Sequence, residues 1–225
     1  MYSDATFSRT SQHSLVVTFA WMVVGLLISA ITSIVFLASG LVYYVFTSRF
    51  LSIALMLAQI GIAIYFSSVL SYASSGKLKG LFVLYAITLG ISLTPICLSY
   101  GLGTISLAFI VTAIYFACLA VVGMTTKKDL TKLGTICLSG LFALIITQGL
   151  LALFRIPMST RMICMIGLLL FTGITAWDMN RLTRLSSFSM VDQDRFSIYM
   201  ALELYLDFIN IFLYILRLLG NRRDS

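Results

Sequence analysis

Apolar runs of about 20 residues, the length that carries a helix across roughly 30 Å of hydrocarbon, recur along this chain with short polar links between them. They fall at 15–38, 50–73, 80–100, 103–124, 133–154, 162–181 and 198–219. Backbone groups in lipid must be satisfied within the segment, so each run predicts a helix. Together they leave no stretch for an independent soluble domain, and residues 1–225 read as a single seven-span transmembrane domain of the all-α class. The first run follows Arg9 but exceeds the apolar region of a secretory leader, about 7–15 residues, and reads as a retained helix.

Inside the seventh run the pattern changes. Glu203, Asp207, Asn210, Tyr214 and Arg217 are spaced four, three, four and three apart, one face of a helix, with Tyr199 extending the row. The other positions are almost all Leu, Ile and Phe. An isolated acid at the centre of a membrane helix costs roughly 2.5–3.5 kcal/mol on insertion scales, so the stripe is expected to face protein or water.

Composition agrees with the pattern. Hydrophobic residues make up 60% of the chain and charged residues 10%, against about 45–50% and 25% in soluble domains. The net charge of +7 is spread over many loops without an aromatic-studded basic patch, which excludes a nucleic-acid partner and leaves the lipid bilayer as the expected one. Counted by loop, Arg9, Lys77, Lys79, Lys127, Lys128, Lys132, Arg181, Arg184 and Arg195 fall on one side. Arg49, Arg155, Arg161, Arg217, Arg222 and Arg223 fall on the other. The bias predicts a cytoplasmic N-terminus. Cys97, Cys118, Cys137 and Cys164 all lie within apolar runs and read as packing residues rather than a disulfide framework. The pairs Ala54 with Ala58 and Ala113 with Ala117 are spaced for close helix approach. Pro95 is placed to kink the third span, and Pro157 falls in a loop.

The candidate chemistry is a pair of carboxylates. Asp178 ends the sixth run in "FTGITAWDMNRL", and Asp207 lies within the seventh. A short loop lets these helices pack as antiparallel neighbours. Two carboxylates brought close in low dielectric cannot both ionise cheaply, so such a pair shares a proton and senses pH. With both ionised, the same oxygens suit a hard cation such as Ca²⁺, weakly and transiently, because two carboxylates fall short of a full coordination shell. The aspartates stand at one height only if the sixth helix runs on toward Leu185 or the seventh starts late. The plainer alternatives are an interfacial Asp178 beside Arg181, a headgroup-level Glu203 and an Asp207 held by a structural hydrogen bond. Glu203, Asn210 and Tyr214 are candidates to line a pathway.

Enzyme chemistry is not expected. Intramembrane aspartyl proteases use Gly-x-Gly-Asp and Pro-Ala-Leu, whereas Asp207 follows Tyr-Leu and the only prolines are Pro95 and Pro157. The single histidine, His13, precedes the first run, so an HExxH zinc site has no ligands, and no lysine lies within the bundle for a Schiff base. No cofactor is expected.

The segments "GITAWDMNRL", "LYLDFINIFLYILRLLG" and "VVGMTTKKDLTKLG" resemble, in order and over most of the chain, the Bax inhibitor family of membrane proteins in its bacterial branch. The resemblance implies a bundle in which six helices surround a central seventh. It also implies a pH-sensitive calcium leak governed by Asp178 and Asp207, in a bacterial inner membrane. It equally implies an alternative function, that of some bacterial relatives, which bind a membrane protease and modulate it. The chain departs from the family at one place: where members often carry an arginine that latches onto the aspartates, the segment "YFSSVLSYASSGKLKG" has none, and Leu70 takes the latch position. The loop from Arg181 to Ser197 is also longer than is usual in the family.

Overall fold

In the computed structural model, which describes residues 2–154, 159–185 and 193–220, the described chain is helical throughout. The elements are α1 (Tyr2–Ala38), α2 (Leu41–Thr47), α3 (Arg49–Val69), α4 (Ser75–Ser99), α5 (Leu102–Thr125), α6 (Thr131–Leu153), α7 (Thr160–Leu185) and α8 (Gln193–Leu219). All but α2 are long and apolar enough to cross a membrane, so the seven expected spans are present. Arg155, Pro157, Arg222, Arg223 and residues 186–192 of the long sixth loop lie outside the described residues, as does the His13 side chain.

The boundaries differ from the apolar windows where polar residues prolong a helix. Helix α7 runs to Leu185, four residues beyond the apolar run, and α8 begins at Gln193, five residues before it. Apolar windows locate what sits in hydrocarbon, but helix ends are set by where backbone groups find partners. Ser48 caps α3 by accepting from Leu51 N–H at 3.4 Å, and Ser74 caps α4 by accepting from Lys77 N–H at 3.3 Å. Between α1 and α2, Gly40 adopts φ +73°, a left-handed conformation that glycine takes without penalty. Pro95 lies inside α4, four residues from its end.

The helices group into two compact units. The first comprises residues 1–101 and 186–205, the second residues 102–185 and 206–225, so α8 gives its first half to one and its second half to the other. In the first unit α4 packs on α1, with Gly90 at the crossing: a Cβ there would stand 2.6 Å from the Ser29 carbonyl oxygen. Trp21, Phe82 and Tyr205 form an aromatic chain, with ring centroids 5.8 Å and 5.7 Å apart. In the second unit α7 packs on both α5 and α6. Gly123 admits Ala176 and Met179 to α5, while Gly134 and Gly173 bring α6 and α7 together around Trp177 and Cys137.

Glycine, not alanine, therefore makes the close approaches. Ala54, Ala58 and Ala117 are exposed and Ala113 is half-buried, which corrects the expectation for those pairs. A Cβ at the true crossings would collide with backbone or ring, and only glycine lacks one. All four cysteines carry free thiols, two of them buried. Burial grows toward the C-terminus: half of the most apolar stretch of α7 and two-thirds of that of α8 are buried, against 6% for α3.

Candidate functional site

Helix α7 divides into three faces at about 100° per residue. Thr172, Ala176 and Met179 face α5, where the Thr172 and Tyr115 hydroxyls are 2.6 Å apart and Gly123 receives Ala176 and Met179. Leu170, Gly173 and Trp177 face α6, against Gly140, Cys137 and Gly134. Gly167 and Phe171 face the second half of α8: the Tyr214 ring lies where a side chain on Gly167 would be, and its centroid is 5.9 Å from that of Phe171. One turn further, Arg217 stands near the Cys164 thiol. As the α7 number falls from 171 to 164, the α8 number rises from 214 to 217. The two helices are antiparallel.

This register fixes the height of the aspartates. From Phe171 to Asp178 is seven residues up α7, and from Tyr214 to Asp207 is seven residues back along α8. Each is a rise of about 10 Å along its own helix, in the same direction in space, with a drift of only about 20° around the axis. Asp178 and Asp207 therefore stand level on the facing sides of α7 and α8. Helix α7 does run on to Leu185, but α8 begins early at Gln193, so the level rests on the packing register and not on the helix ends. Both aspartates are buried, at 3% and 4% exposure, and each has a carboxylate oxygen shut off from solvent. Between them and the aromatic rung the same register sets Thr175 opposite Asn210.

The other predicted residues separate. Asn210 is half-buried and donates its Nδ2–H to the Leu206 carbonyl at 2.8 Å. Tyr214 is half-buried and packed into α7. Glu203 belongs to the first unit, is half-buried, and accepts a hydrogen bond from the Tyr199 hydroxyl one turn earlier. The stripe does not divide α8 into a buried polar face and an outward apolar one. Phe208, Ile209, Ile211, Phe212, Ile215 and Leu216 are all buried, Arg217 is exposed, and of the stripe's five members only Asp207 is fully enclosed. The latch position, Leu70, is half-buried at the end of α3. The basic group beside it comes from α8, where Arg195 donates to the Ser71 carbonyl at 3.1 Å.

Two polar clusters escaped the sequence reading. Asn180, 2% exposed, donates to the Gly123 and Thr126 carbonyls at 3.3 and 2.8 Å and accepts from Leu130 N–H at 3.4 Å. One side chain thus ties off the end of α5 and the turn into α6. Arg184 adds a bond to the Lys127 carbonyl at 2.8 Å and a 3.7 Å ion pair with Asp129. The signal was present in "WDMNRL", where a polar residue stands two positions after an acid at the end of the apolar run. In the first unit, Ser29 donates to the Ala86 carbonyl at 2.9 Å and meets the Tyr205 hydroxyl. Serine within an apolar window gives no such signal.

Outside the spans, Asp129 accepts from the Thr131 hydroxyl and backbone N–H, and these bonds, helped by Arg184, hold its carboxyl below the usual carboxylate range. Among the described residues no cluster of three or more His, Cys, Asp and Glu side chains converges on a metal position. Any cation held in the second unit would have to use two carboxylates and neutral oxygens.

Known proteins resemble this chain over almost its whole length. The family described as "Inhibitor of apoptosis-promoting Bax1" matches residues 11–224. Inner membrane protein YbhL of Escherichia coli (strain K12) is 34% identical over 212 residues, covering 91% of this chain and 90% of that protein. A Borreliella burgdorferi protein is 35% identical over 92% of this chain and 91% of its own length, and a Deinococcus radiodurans protein is 36% identical over 92% and 89%. With seven apolar helices in place and the family match running almost end to end, this chain is an integral membrane protein that belongs to the Bax inhibitor family.

Proposed function

We propose that this protein is a pH-sensitive leak path for cations, calcium foremost, governed by Asp178 and Asp207. What supports the reading is the enclosure of both carboxylates, at 3% and 4% exposure, together with the register of α7 and α8 that sets them at one height. Two acids held this way cannot both ionise at low cost, so they share a proton and the singly protonated pair draws α7 and α8 together. As pH rises the shared proton leaves and the carboxylates repel. They then offer their oxygens to a passing hard cation instead. Leu70 carries no charge, so the closed state is held by another group than a latch at that position. Asn210 and Tyr214 line the next stretch of the path, and Glu203 lies one turn before Asp207 along α8. The reading is non-enzymatic. It places the chain in a bacterial inner membrane, as the printed name of the E. coli relative states for that protein. The loop charge bias puts the N-terminus in the cytoplasm.

The test is calcium flux through purified protein in liposomes across a pH series, comparing native protein with Asp178→Asn and Asp207→Asn. Native flux rises with pH, and both variants lose that dependence. Flux with the same pH profile in all three proteins contradicts the reading and leaves the other function, binding and modulating a membrane protease, in its place.

A further inference from the structure

Thr175 departs from a habit shared by several other helical threonines. Thr94, Thr112, Thr172 and Thr183 each turn the hydroxyl back onto the carbonyl four residues earlier, at 3.2, 2.7, 2.7 and 3.0 Å. Thr175 is completely buried, yet its Oγ1 has no hydrogen-bond partner among the described residues. An enclosed, unsatisfied hydroxyl is costly, and the local back-bond that its neighbours use would remove that cost. A hydroxyl kept in this state inside a well-packed unit calls for a partner that the surrounding side chains do not supply.

Its position says which ligand. Thr175 lies four residues above Phe171 on α7, about 40° around the axis, on the side turned to α8. It is one turn from Asp178, and the register of Phe171 with Tyr214 sets it opposite Asn210. Asn210 commits its Nδ2–H to the Leu206 carbonyl, which leaves Oδ1 as an acceptor. The rung above holds two carboxylates, and the rung below is filled by Tyr214 packed onto Gly167. The four groups supply oxygen only.

We infer that Thr175 Oγ1 and Asn210 Oδ1 join the carboxylates of Asp178 and Asp207 as ligands of one hard divalent cation. Two carboxylates balance its charge, and two neutral oxygens fix its depth. Four side chains supply fewer than the six to eight oxygens that Ca²⁺ takes, so the ion keeps part of its water and is held loosely. The inference rests on the aspartate pair proposed above but not on conduction.

The test is equilibrium binding of Ca²⁺ to the full chain in detergent by titration calorimetry at about pH 8, well above the ordinary carboxylate range. Native protein is compared with Thr175→Val, which keeps the shape without the hydroxyl, with Thr175→Ser, which restores it, and with Asp207→Asn. Thr175→Val weakens binding about tenfold, Thr175→Ser stays within about twofold of native, and Asp207→Asn loses binding. Without calcium, Thr175→Val unfolds at or above the native temperature, because it removes an unsatisfied buried group. A purely structural threonine would leave it less stable. Native affinity in Thr175→Val overturns the inference, as does a native protein that binds no calcium at millimolar concentration. If binding follows this pattern while liposome flux ignores pH, the leak reading falls and the site stands. If flux follows pH while binding does not depend on Thr175, the site falls and the leak reading stands.

Discussion

The two units solve the problem of polar groups in an apolar chain in opposite ways. In the first, the fully buried polar side chains among the described residues are neutral hydroxyls with partners, although the half-buried Gln193 holds an enclosed Nε2 without one. Ser14 meets Ser197 at 2.8 Å, Thr18 donates to the Ser197 carbonyl at 3.2 Å, Ser33 donates to Thr94 at 3.3 Å, and Ser29 serves Ala86 and Tyr205. In the second, the buried set includes Asp178 and Asp207 and the unsatisfied hydroxyl of Thr175. Neutral pairs stabilise by about 1 kcal/mol each and do not respond to pH. Buried carboxylates cost stability unless a proton or cation offsets them, and both of those vary with conditions. The buried polar groups of the first unit are neutral, and those of the second include carboxylates.

The comparison can be broken first at Asn180. Asn180→Ala removes three bonds that hold the α5–α6 turn to α7, and it leaves buried backbone groups unsatisfied. It should cost about 2–3 kcal/mol, read as a lower unfolding temperature in detergent, and it should disturb the pH response of flux because α7 carries Asp178. Tyr205→Phe sharpens the contrast from the other side. It removes one hydroxyl from the first unit, should cost about 1 kcal/mol, and should leave the pH profile of flux unchanged. A shifted profile would mean that the hydroxyl network also belongs to the sensor.

The smallest effect is expected at Asp129, on the surface of the second unit. Its carboxyl titrates below the usual range because Thr131 and then Arg184 favour the charged form. A carboxylate with a depressed value contributes stability above its unfolded value, and loses it as pH falls through the folded one. Asp129→Asn should therefore lower the unfolding temperature slightly at neutral pH and flatten its acid limb below about pH 4. An unchanged acid limb would show that Thr131 and Arg184 do not act on it.

Much of this was legible in the chain. Seven apolar runs gave seven spanning helices, because lipid permits little else. Asp178 and Asp207 stood out because an acid in an apolar run has few structural explanations. The depth of the pair was not legible, since it depends on α7 continuing through "NRLTRL" and on a register set by Phe171, Gly167 and Tyr214, none of which is unusual as a residue. The short helix α2 was missed because seven residues between two spans carry no periodicity. Thr175 was missed because threonine in a membrane helix is ordinary until its hydroxyl is seen to have no bond.

The central claim is that Asp178 and Asp207 share one proton. Infrared difference spectroscopy of the protonated carboxyl band during a pH titration of the native protein, Asp178→Asn and Asp207→Asn tests it most directly. The account predicts two well-separated protonation steps in the native protein, and in each variant a single step lying between them. Two overlapping native steps, each removed independently by one substitution, would contradict it.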